Sequence, residues 1–153
     1  MKTIRKLLLI IAFVSGSAVI SNAQEIGVRV GDVSGGSVAI DGIFSTTQFS
    51  RLHANISFGD GVGADLLWDF LYAPLPDEAF NWYVGVGPYL GVFDDSGDTD
   101  FELGAAFEIG IEYRFVNVPI ALGLDYRPTL EIIDKTQFHW GGFGLNIRYV
   151  FGK

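Results

Sequence analysis

The stretch Phe101–Phe115, FELGAAFEIGIEYRF, alternates almost without a break. Phe101, Leu103, Ala105, Phe107, Ile109, Ile111, Tyr113 and Phe115 fall on one face of an extended strand; Glu102, Gly104, Ala106, Glu108, Gly110, Glu112 and Arg114 fall on the other. Side chains of a strand alternate between faces with period two. In water the apolar face would be buried. In lipid it would point outward and the charges would lie inside the protein. The rest of the chain decides between the two.

Composition favours the second arrangement. Hydrophobic residues make up 49% of the chain and charged residues 18%, against about 25% charged in ordinary soluble domains. Residues 1–23, MKTIRKLLLIIAFVSGSAVISNA, read as a secretory signal peptide. Lys2, Arg5 and Lys6 form a basic start, Leu7–Val14 an apolar core, and Ser21-Asn22-Ala23 a small-residue cleavage site. Ser15, Gly16 and Ser17 break the apolar run, which is shorter than the roughly 20 residues a helix needs to span a bilayer. Residues 24–153 are then the single mature domain. They hold seven basic and 18 acidic residues, a net charge of −11, and no cysteine. Nucleic-acid binding, which needs a basic face, and a disulfide framework are both excluded. Lysine survives only at Lys135 and Lys153, whereas soluble β proteins protect their edges with it.

The alternation recurs. Residues 26–31, 38–44, 50–58, 64–72, 82–92, 120–130 and 143–151 each set large apolar groups against a face of glycine, charge and amide, which Ile43, Leu67, Leu71, Tyr83, Tyr89 and Val150 interrupt with bulky groups. With 101–115 this predicts eight strands. Several reach about 9–11 residues, the length of a tilted transmembrane strand. Tyr72, Trp82, Tyr113 and Tyr126 fall on the apolar face, where interfacial aromatic girdles lie. The expected fold is all-β: an eight-stranded antiparallel up-and-down transmembrane β-barrel. An open sheet edge in lipid would leave backbone groups unpaired, so the barrel must close. An even strand number puts both termini on one side, the periplasm, with loops near 32–37, 59–61, 93–100 and 131–137 at the other end.

Eight strands leave a bore just wide enough to be filled by side chains. The expected bore network comprises Arg29, Arg51, Asp65, Asp69, Glu108, Glu112, Arg114, Asp125, Arg127 and Arg148, with Asp41, Glu102 and Glu131 as further inward acids. A three-residue turn at Gly59-Asp60-Gly61 sets a register in which Arg51 faces Asp69 and Asn55 faces Asp65. A four-residue connection at 116–119 sets another, in which Glu108 faces Arg127.

Signs of catalysis are sparse. His53 and Ser57 share the inward face, but residues four apart on a strand are about 13 Å apart, too far for an acyl-transfer pair. His139 has no serine near it in sequence. The acidic tip FDDSGDTDF, 93–101, lacks the spacing and closing glutamate of the helix–loop–helix calcium motif. No catalytic residue, metal site or cofactor is expected.

The segments NWYVGVGPYLGVF (81–93), PIALGLDYRPTLEI (119–132) and GGFGLNIRYVF (141–151) resemble small outer-membrane β-barrel proteins of Bacteroidota, within the broad OmpA/OmpX-like barrel group. The likeness runs in order over the mature chain. It implies the barrel fold and a cell-outer-membrane location, and carries over no catalytic motif. It also implies that Tyr149 and Phe151 belong to a terminal signal read by the barrel-assembly machinery, although here Gly152-Lys153 follow the aromatic. The function expected is that of a monomeric structural or envelope-related barrel partnered by outer-membrane lipids. The alternatives are a lipid- or lipid-A-modifying enzyme, a narrow passive channel, and a soluble secreted ligand-binding barrel.

Overall fold

A computed structural model describes residues 24–152 except 34–35, 77–78, 96–97 and 134–135. The expected leader, 1–23, lies outside the described residues, as do the side chains of the acidic tip at 94–99. Eight strands follow in chain order: β1 (Glu25–Val33), β2 (Gly36–Ser45), β3 (Arg51–Phe58), β4 (Gly61–Pro74), β5 (Phe80–Asp95), β6 (Asp98–Arg114), β7 (Ile120–Glu131) and β8 (Gln137–Val150). Each pairs antiparallel with the next, and β1 pairs with β8, so the sheet closes into a barrel. Closure leaves no unpaired edge. The strands run further than the apolar alternation, most clearly β8, which starts at Gln137 rather than 143. Backbone pairing needs no particular side chain, so the ladder continues into polar hairpin ends.

The two faces of every strand separate as the alternation demands. Arg29, Asp41, Asp69 and Ala39 are fully buried in the bore, while Ile109, Trp68 and Leu145 on the opposite face are 52%, 53% and 65% exposed. Ile43 and Leu67 are also fully buried inside. Both expected registers are present. Arg51 faces Asp69, Asn55 faces Asp65 and Phe58 faces Val62 across β3–β4. Ile109 faces Tyr126 and Arg114 faces Ala121 across β6–β7, which places Glu108 beside Arg127.

Beside a register shift on β1 between Val30 and Val33, two bulges among the described residues reverse the alternation locally. One lies on β4 between Asp69 and Leu71, so that Asp69 faces Gly85 but Tyr72 faces Tyr83. Tyr72, expected in the outward girdle, therefore turns into the bore. The other lies on β8, where Trp140 and Gly141 together oppose Pro128: Arg127 pairs with Gly142 and Thr129 with His139. Gly141 takes φ +64°, the left-handed conformation that a glycine accepts at such a bulge. Beyond it His139 faces inward at the barrel mouth, and Phe138 and Trp140 face outward, 44% and 76% exposed.

Candidate functional site

The bore is the concentrated chemistry of this chain. At the end where β1 starts and β8 finishes, Arg148 binds three carboxylates. Its Nε donates to Glu25 Oε2 at 2.9 Å, its Nη1 to Asp41 Oδ2 at 3.3 Å, and its Nη2 to Glu112 Oε2. Glu112 also accepts from Arg51 Nη1 at 2.8 Å, from Arg114 Nε at 2.9 Å and from the Tyr72 hydroxyl at 2.7 Å. Arg114 pairs with Glu25 as well. Arg51 reaches Asp69 Oδ2 at 2.6 Å, and its guanidinium lies 4.5 Å and 4.4 Å from the ring centres of Tyr72 and Tyr83. That sandwich adds cation–π attraction to the ion pairs.

The middle of the bore is built round His53 and Arg127. His53 Nε2 contacts Asp41 Oδ1 and its Nδ1 lies 3.0 Å from Glu108 Oε1. Arg127 bridges Glu108 Oε2 at 2.9 Å and Asp65 Oδ1 at 3.3 Å, and Asn55 donates to the same Asp65 oxygen at 2.9 Å. Arg29 reaches Asp125 Oδ1 through Nε at 2.8 Å and Nη2 at 2.5 Å, while Asn146 donates to Oδ2 at 2.9 Å. Glycines make the crossings possible. A Cβ on Gly144 would lie 2.2 Å from the Arg29 guanidinium carbon, and one on Gly110 would lie 2.3 Å from the Tyr83 ring. Large groups thus lie across strands that present only backbone. On the bore wall formed by β4, β5 and β6, Leu67, Tyr89 and Ala106 make a small apolar cluster, Leu67 beside His53.

All ten expected network residues lie in this assembly. Nine are almost wholly buried; Arg114, at the end of the bore, keeps 29% of its side chain exposed. The sequence reading missed Glu25, which lies one residue before the expected first strand yet continues the inward series Gly27, Arg29. It also missed Tyr72, because a bulge leaves no mark in the hydrophobic period. His53, weighed with Ser57 for acyl transfer, has its two nitrogens turned to Asp41 and Glu108. Donor atoms of His53, Asp69 and Glu108 lie within 4.8 Å of one another, but Arg51 and Arg127 already neutralise the two acids. A metal ion there would have to displace them.

The pairing is testable. Arg51→Ala is expected to cost about 3–5 kcal/mol, since it strands buried carboxylates, and adding Asp69→Ala should recover part of the loss. The measurement is a double-mutant cycle on the folding equilibrium. Zero coupling would mean that the Arg51–Asp69 pair does not form.

At the far mouth the bore opens into a cavity of about 770 Å³ lined by Asp32, Asp65, Glu102, Arg127, Thr129 and His139, among others. No protein-family model matches the chain, and no curated protein matches it in sequence.

Proposed function

We propose that this chain is an integral outer-membrane protein with a structural or envelope-related role, its barrel embedded in lipid and both termini on the periplasmic side. One observation carries the reading: the outer wall is a belt of large apolar side chains, while the charges are collected in the bore. Trp68, Phe70, Ile109, Leu124, Phe143 and Leu145 are 43–69% exposed. Monomeric soluble proteins rarely expose contiguous apolar surface beyond a few hundred Å². A closed barrel, with every strand paired on both sides, is also the one β architecture that satisfies its backbone in hydrocarbon. A soluble ligand-binding barrel would need the reverse, a roomy apolar bore and a polar wall.

Other parts of the proposal follow from the same arrangement. One chain closes the barrel by itself, so a monomer suffices and the surrounding lipid is the main partner. Residues 1–23 would serve as the export leader. Tyr149 and Phe151 point outward with ring centres 5.1 Å apart, as suits a terminal strand offered to the barrel-assembly machinery that the family resemblance implies. Catalysis forms no part of the reading.

The test combines location with orientation. The protein should fractionate with outer membranes. Leu124→Arg, at mid-strand on the outer wall, should destabilise the barrel in lipid by about 2–4 kcal/mol, whereas arginine near the interface should cost about 0–1 kcal/mol. Val116, in the turn after β6 and 77% exposed, provides that control. A harmless Leu124→Arg, or recovery of the folded protein in the soluble fraction, would defeat the proposal.

A further inference from the structure

The β8 bulge has a chemical result at the barrel mouth. The outward series Phe143, Leu145, Ile147 would put residue 139 on the outer wall if the strand were regular. The bulge at Gly141 turns His139 inward instead, opposite Thr129. Glu131 lies two residues further along β7 on the same inward face. On β6, Gly104 pairs with Glu131, and Glu102 is the next inward residue beyond it. Three adjacent strands thus deliver one imidazole and two carboxylates to one spot, their donor atoms all within 4.8 Å of one another.

These groups are poorly satisfied by the protein. His139 Nε2 is shielded from solvent and has no hydrogen-bond partner among the described residues. It lies 3.6 Å from Glu131 Oε2, beyond hydrogen-bond range. Two ligands on a tetrahedral ion with bonds of about 2.0–2.1 Å sit roughly 3.3 Å apart, so a small closure would bring this pair onto a metal. Glu131 is only 8% exposed, and no arginine pairs with it among the described residues. Asp100 adds a further negative charge beside Glu102. A second, separate feature points to the same place. Tyr89 is 1% exposed, and its hydroxyl has no hydrogen-bond partner among the described residues. Its ring lies over Gly104, where a Cβ would approach it to 2.7 Å, and its hydroxyl faces Glu102, Glu131 and Thr129.

We propose that Glu102, Glu131 and His139 form a binding site for a divalent first-row transition ion at the far mouth of the barrel, with the Tyr89 hydroxyl placed to hydrogen-bond a ligating carboxylate once the three groups close on the ion. A nitrogen donor beside two carboxylates suits Zn²⁺ and its neighbours rather than Ca²⁺, which takes six to eight oxygens. Three protein ligands leave a fourth position open to the 770 Å³ cavity, where water or a donor atom from another molecule completes the shell. The site belongs to the barrel itself, so its test is independent of where the barrel resides.

The experiment titrates Zn²⁺ into tag-free protein folded in detergent, followed by calorimetry, and Co²⁺ followed by its visible absorption. The expected result is one ion per chain. Loss of an outer-shell partner alone typically lowers metal affinity about 10–100-fold; Tyr89→Phe should fall in that range, and Glu131→Gln and His139→Ala should lose at least as much. The heat-dependent gel mobility of a folded barrel serves as the folding check for each variant. Failure of the folded unaltered protein to take up Zn²⁺ would overturn the proposal. So would unchanged uptake by folded His139→Ala, or displacement of Zn²⁺ by an equal concentration of Ca²⁺, which would mark a plain acidic patch.

Discussion

Arg148→Ala is expected to be the most damaging charge deletion in this protein. Removing one partner of a buried pair typically costs about 3–5 kcal/mol, because the other charge stays behind in a low-dielectric site. Arg148 has three carboxylate partners, Glu25, Asp41 and Glu112, drawn from β1, β2 and β6. The loss should therefore reach the upper end of that range or exceed it. Arg148→Lys should recover only part, since an ammonium is a point charge and cannot reproduce the planar fork of a guanidinium. Adding Glu112→Gln to Arg148→Ala should restore some stability by removing one stranded charge, though Arg51 and Arg114 then lose a partner as well. Reversible unfolding by urea or guanidinium in lipid vesicles measures all three. A cost below about 1 kcal/mol, the value of an exposed ion pair, would mean that water fills this end of the bore and that the network is not buried.

The second large expected effect is on conductance. The unaltered barrel should show no steady current in a planar bilayer. Arg29, Arg51, Arg127 and Arg148 are each held across the bore by carboxylates, and Leu67, Tyr89 and Ala106 pack together on the bore wall of β4, β5 and β6. Arg127→Ala removes the bridge between Glu108, Asp65 and Asp125, and should convert a silent barrel into one with frequent openings. Those openings should favour cations. Glu25, Asp41, Asp65, Asp69, Glu108, Glu112, Asp125 and Glu131 are buried along the bore, and they outnumber the buried arginines. A narrow path lined by one sign of charge concentrates the opposite ion. A steady, porin-like conductance from the unaltered barrel would remove the filled bore and make passive transport the leading function.

Periodicity was a good guide wherever the strands are regular. The inward placing of Glu108, Glu112 and Arg114 follows from a single uninterrupted alternation on β6. The Arg51–Asp69 pairing was legible because a short glycine turn at 59–61 leaves little freedom in the register of β3 against β4. Legibility ended at the bulges. Tyr72 reads as an outward aromatic because nothing in Asp69-Phe70-Leu71 announces that the backbone will insert a residue there. His139 reads as an isolated histidine because its inward turn depends on Gly141 opposing Pro128, a relation between two strands rather than within one. Neither the three-acid grip of Arg148 nor the His139 cluster can be seen from one strand, since each is assembled from several, and the strands that grip Arg148 lie far apart in sequence.

That remoteness constrains how the chain reaches its final state. The Arg148–Glu25 contact joins residues 123 apart, Arg148–Asp41 joins residues 107 apart, and Arg29–Asp125 joins residues 96 apart. None of these charges finds its partner in a nascent hairpin; each is satisfied only when β8 meets β1. A curled sheet with that seam still open would carry uncompensated ions on its concave side as well as bare backbone along two edges. Both penalties vanish together at the moment of sealing. Folding should accordingly be all-or-none, with the ion lattice acting as a checkpoint that rejects partly wound barrels.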